Sequence, residues 1–103
     1  MNKVIAERRL LLESVADGQR RELLIRIGEP YWDADSQMAL CPREYLGLFP
    51  AVAPAAGIDS VQALLLASDV DSMLKAQTDK YRFYYPDGLP YFEGNTKPET
   101  DSN

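Results

Sequence analysis

Apolar and polar positions alternate most regularly in the first third of the chain. From Arg21 to Ile27, Leu23, Ile25 and Ile27 fall on one side, and Glu22, Leu24 and Arg26 fall on the other. A period of two is the mark of a half-buried strand. Val4 to Glu13 alternates more loosely, with Leu10 and Leu12 on one face, and is also expected to be a strand. Between them Ala16-Asp17-Gly18-Gln19 predicts a turn, because Asp-Gly supplies the positive φ that tight hairpins need. The two segments therefore make a hairpin, which Gly28-Glu29-Pro30 ends. Tyr31 to Gln37 reads as an acidic loop carrying two large aromatics. Met38 to Leu46 reads as a third strand, at an edge or bulged at Pro42, because proline has no N–H to give to a ladder. Pro50 to Gly57 reads as a connector.

The period changes after Asp59. Ala63, Leu66, Ala67, Val70, Met73 and Leu74 make one stripe at helical spacing, predicting a helix to about Gln77. Asp59 stands at its cap, and Gln62 follows three residues later as in a capping box. Val61, Leu64 and Leu65 fall outside the stripe, so the first half of the helix is apolar nearly all round. Such a segment is either covered on two sides or exposed as a contact surface. Tyr81 to Tyr85 predicts a strand, Pro86-Asp87-Gly88 a turn, and Leu89 to Phe92 a short returning strand. Gly94 to Asn103 is polar and is expected to be a disordered tail. The pattern as a whole predicts one α+β domain over residues 1–93. Its sheet is mainly antiparallel, in the order β-β-β-α-β-β, with one long helix packed on one face.

Composition narrows the chemistry. A single cysteine, Cys41, cannot form an internal disulfide, which suits a reducing compartment. No apolar run has the length of a signal peptide or a membrane span, the longest being Ala63 to Ala67. These features lead us to expect a soluble, cytoplasmic protein with no membrane partner. The chain has no histidine, which removes the imidazole base, the histidine-dependent nucleophile systems and the usual imidazole metal ligand. It has no glycine-rich phosphate loop either. Neither an enzyme nor a cofactor is expected. Asp33, Asp35, Gln37 and Glu44 match four positions of a calcium-loop frame, but Met38 replaces its glycine and Pro42 interrupts it. Cys41, between Leu40 and Pro42, reads as a buried small hydrophobe rather than a reactive thiol. The aromatics from Tyr81 to Phe92 read as core and cross-strand pairs rather than a base-stacking platform.

The net charge of −5 is unevenly spread. Residues 1–26 hold six bases and four acids, whereas residues 27–79 hold eight acids and two bases. An acidic middle repels nucleic acid and draws in a basic protein partner. Within it, Tyr31 and Trp32 stand between Glu29 and Asp33. Aromatics among acids can anchor a partner, or Trp32 can fold back as a lid on the core. The candidate contact residues are Glu29, Tyr31, Trp32, Asp33, Asp35 and Glu44.

Three stretches, Val4-Ile5-Ala6-Glu7-Arg8, Ile25-Arg26-Ile27-Gly28-Glu29-Pro30 and Gly57-Ile58-Asp59-Ser60-Val61-Gln62-Ala63-Leu64, together resemble a family of small bacterial proteins of undefined function. Cys41-Pro42 fits the same pattern, and the resemblance spans residues 4–92. It implies no catalytic residues. Members of that family are similar in size and charge to immunity proteins of bacterial toxin systems. The expected function is therefore an immunity protein that blocks a cognate toxin, a basic nuclease. Two alternatives stand beside it: a small-ligand-binding or carboxylate-dependent enzyme domain, and an oligomeric structural subunit with Leu64 and Leu65 as its seam.

Overall fold

The alternating segments fold into a long antiparallel hairpin of β1 (Val4–Ser14) and β2 (Arg20–Gly28). The computed structural model describes Met1 and residues 3–92; the tail expected over 94–103 lies outside the described residues. The register sets Leu10 opposite Leu23, and Leu12 and Ile25 flank that pair on the same buried face. Gly18 carries φ +70° in the connecting turn.

After β2 come β3 (Tyr31–Asp33), β4 (Met38–Cys41), β5 (Arg43–Leu46), β6 (Ala55–Gly57), helices α1 (Ser60–Ala67) and α2 (Val70–Lys75), and β7 (Tyr81–Tyr84). The architecture is α+β and antiparallel, but it holds two sheets rather than one. The first has the order β5-β2-β1-β7 and the second the order β3-β4-β6. The single strand expected from Met38 to Leu46 is cut at Pro42 into β4 and β5, which belong to different sheets. Proline cannot donate to a ladder, so the chain changes sheet there, and the Pro42 carbonyl accepts from Gly28 N at 2.8 Å. The segment read as an acidic loop begins with β3, and the connector ends in β6. The returning strand expected over Leu89 to Phe92 is reduced to one bridge, Tyr84 with Pro90.

The helix expected to run unbroken to Gln77 is also divided. The Ser68 hydroxyl donates to the Leu64 carbonyl at 2.8 Å and closes α1. Asp69 leaves the helical region at φ −78°, ψ 68°, and caps α2 by accepting from Ser72 N and Oγ. Those Ser72 hydrogen bonds hold the Asp69 carboxyl below its ordinary range. The break lets one helical segment serve both sheets. Ala63 and Ala67 of α1 join Ile27, Ala39, Cys41 and Ala55 in a small core under the three-stranded sheet. Val70 and Leu74 of α2 join Leu10, Leu12, Leu23, Ile25, Tyr45 and Phe83 in the main core. Each fully buried leucine there contributes about 2 kcal/mol of transfer free energy.

The aromatic run ties the C-terminal segment to this core, as the sequence predicts. Phe83 meets Phe92 edge-on at 6.3 Å. The Tyr91 hydroxyl donates to Asp71 at 2.6 Å and accepts from Arg8 at 2.5 Å. Burial and the Asp71 hydrogen bond push the Tyr91 phenol up to about 12.

Cys41 is fully buried, and its thiol donates to the Gly28 carbonyl at 3.3 Å. Burial pushes this thiol above its ordinary range. We expect the native protein to leave a thiol-reactive dye unreacted, with one equivalent released on unfolding. Rapid reaction of the folded protein would contradict the burial of Cys41.

Candidate partner-binding surface

The β3–β4 hairpin turns through Ala34 to Gln37, and Asp33 holds the turn. Its Oδ2 accepts from Ser36 N at 3.0 Å and from Ser36 Oγ at 2.6 Å. These bonds hold the Asp33 carboxyl below its ordinary range. Gln37 adopts φ +57°, and its side-chain amide donates to the Ala34 carbonyl at 2.7 Å. Asp33 is thus a turn-former as well as a surface charge, while Asp35 stands exposed at the tip.

Strand alternation sends Tyr31 and Trp32 to opposite faces of the three-stranded sheet. Trp32 pairs with Ala39, which in turn pairs with Gly57, so Trp32 shares the face that α1 covers. Tyr31 pairs with Leu40 on the other face. Tyr31 is 50% exposed and Trp32 55%, so Trp32 is not a lid on the core.

Glu29, Tyr31 and Glu44 come together along a groove of about 620 Å³. It runs between β5, the loop after it and the Glu29–Tyr31 corner, with Lys3, Arg43 and Phe49 also in its walls. Arg43 Nε donates to the Ala53 carbonyl at 3.0 Å and holds that loop in place. Glu44 differs from the other candidates in being neutralised. The register of β2 with β5 sets it opposite Arg26, and their charged atoms approach to 3.6 Å. Arg26 also reaches Glu7 on the neighbouring strand at 3.2 Å. Trp32, Asp33 and Asp35 lie outside the groove walls. Among the described residues no group of three or more His, Cys, Asp or Glu could hold a metal ion.

The charge asymmetry of the sequence becomes a spatial one. Arg9 pairs with Glu22 at 3.2 Å and Arg20 with Glu13 at 2.8 Å, so much of the N-terminal basic charge is neutralised on the outer face of the hairpin. Residues 29–42 and 55–67, which form the three-stranded sheet and α1, carry Glu29, Asp33, Asp35 and Asp59 and no lysine or arginine. Large exposed apolar residues gather on this acidic unit: Tyr31, Trp32, Ile58, Val61, Leu65 and Leu66. The sequence pattern marked Val61 and Leu65, but not Ile58 or Leu66, as lying off the buried stripe. Of the expected seam pair, Leu64 is half-buried against the small core and Leu65 stands open.

Among the described residues no helix is long and apolar enough to cross a membrane. Comparison with models of protein families, with curated proteins and with solved structures finds no match to this chain.

Proposed function

We propose that the chain is a protein-binding module for a basic partner, acting as an immunity protein that blocks a cognate toxin, a basic nuclease. The observation that carries this reading is the β3–β4 hairpin. It presents two half-exposed aromatics beside Asp33 and Asp35, on residues 31–41, which carry no lysine or arginine, with Glu29 just before them. Such carboxylates steer a cationic protein into encounter, and the aromatics supply the desolvated contact that holds it. Seated on a nuclease, the same carboxylates would occupy the basic surface that otherwise takes nucleic-acid phosphates.

The test starts from a tagged protein used to capture partners from the organism that encodes it, with low-salt and then high-salt washes. The retained basic protein is purified, and its nuclease activity is titrated with wild type and variants. Trp32→Ala should weaken inhibition by about 30-fold, as loss of a hot spot worth about 2 kcal/mol requires. Glu29→Lys with Asp35→Lys should slow association most at low salt. Asp33 is left intact because it holds the turn. A retained protein that is not inhibited, or one inhibited equally by every variant, would end this reading.

The groove favours a second reading, small-ligand binding or carboxylate-dependent chemistry. Its 620 Å³ is of ligand-site size. Glu29 and Glu44 share it with Lys3 and Arg43, so its charge is mixed rather than that of a bare carboxylate pair. A small molecule that raises the melting temperature, and loses that effect in Tyr31→Ala, would support it.

A further inference from the structure

Helix α1 carries its residue sizes the wrong way round for a helix that only closes a core. Alanines 63 and 67 face inward and are fully buried. Facing outward are Val61 at 65% exposed and Leu65 at 66%, with Ile58 at 75% just before the cap and Leu66 at 48% on the flank. The inward alanines have an intramolecular reason. A Cβ on Gly57 would lie 2.6 Å from Ala63 N, so β6 and α1 are in backbone contact and no larger residue fits between them. The outward residues have none. Val61 and Leu65 stand four apart, on one line along the helix. Single exposed apolar residues are ordinary, but four on two turns make a patch.

Charge decides what covers it. Asp59 and Asp69 stand at the two ends of α1, and residues 57–69 carry no lysine or arginine. A second copy would pair through a two-fold axis, so the patch would meet itself and set acids against acids. A segment with apolar residues at helical spacing, flanked by lysine or arginine, matches both the stripe and the rim.

We propose that the outer face of α1 docks a basic amphipathic helix of the partner. This rests on the reading of the chain as a binder of a basic protein and names the surface and the element it takes.

The probe is a fluorescein-labelled leucine–lysine peptide with its leucines at helical spacing, followed by anisotropy. Its controls are a scrambled peptide of the same composition and a leucine–glutamate peptide. We expect the leucine–lysine peptide to bind, the scrambled one to bind about tenfold more weakly, and the acidic one not to bind. The double variant Val61→Ser/Leu65→Ser should weaken binding by about tenfold or more with an unchanged melting temperature, because both positions are solvent-exposed. Equal binding of the ordered and scrambled peptides, no binding of the ordered one, or no effect of the double variant would overturn the proposal. A wild-type dimer that the double variant makes monomeric would overturn it in favour of a second copy. The two readings fail separately. A captured toxin still blocked by Val61→Ser/Leu65→Ser but released by Trp32→Ala with Glu29→Lys would remove α1 docking alone. A chain that retains no basic protein would remove both.

Discussion

Gly47→Ala should lower stability by about 3 kcal/mol or more, and the melting temperature by roughly 15 °C. Gly47 follows β5 directly and opens the loop that walls the groove. Two costs meet at this one residue. Its φ of +103° lies where L-residues are strained, which costs about 1–3 kcal/mol for any side chain. A Cβ built there would also lie 2.4 Å from the Glu22 carbonyl oxygen, a backbone atom in β2 that no rotamer change can move. Relief requires β5 to separate from β2, and Arg21 Nε would then lose its 2.8 Å hydrogen bond to the Gly47 carbonyl. Gly18→Ala is the control. Gly18 has φ +70° but nothing within 4 Å of a Cβ, so it should lose only about 1 kcal/mol. Urea unfolding of the two variants separates the terms. If Gly47→Ala loses no more than Gly18→Ala, the close approach of β5 and β2 at this point is wrong.

The sequence made the β1–β2 hairpin legible because its period, turn and strand propensity agree with one another. It hid the second sheet in part because one of its strands is built from residues that do not look like a strand. Ala55-Ala56-Gly57 lacks β-branched or aromatic residues, and alanine and glycine are depleted in strands. These residues form β6 because α1 must lie almost on the backbone beside Gly57. Pro42 signalled an interruption, but which sheet each half joins depends on pairings with Gly57 and Arg26, far away in the chain. The helix break had a local signal. Asp69 followed by Ser72 repeats the cap spacing of Asp59 and Gln62, and the continuous apolar stripe concealed it.

The candidate surface divides along the same line between local and distant causes. That Tyr31, Trp32 and the acids share one hairpin follows from their closeness in sequence. That both aromatics stand open follows from β3 being an edge strand of the second sheet, which no local pattern shows. The neutralisation of Glu44 comes from the β2–β5 register, and the grouping of Ile58, Val61 and Leu65 with the hairpin comes from the packing of α1 on β4 and β6. Each of these is set by pairing across a long stretch of chain, so the residues were visible and their surroundings were not.

Leu74→Ala and Leu65→Ala remove the same atoms from neighbouring helices and should have opposite consequences. Leu74 is fully buried in α2 against a cluster that includes Leu10, Leu12, Leu23, Ile25 and Phe83. Its truncation should cost about 3 kcal/mol, the transfer term plus the cavity left between helix and sheet. A small domain holds only about 5–15 kcal/mol in total, so the urea midpoint should fall by a large fraction. Leu65 stands on the outer face of α1, where the same change should cost less than about 0.5 kcal/mol and leave the midpoint unmoved. Its effect should appear in partner binding instead. Urea unfolding at two protein concentrations checks both. If Leu65→Ala is as costly as Leu74→Ala, the outer stripe is covered in solution. A midpoint that also rises with concentration would then identify the cover as a second copy, because only association stabilises by mass action.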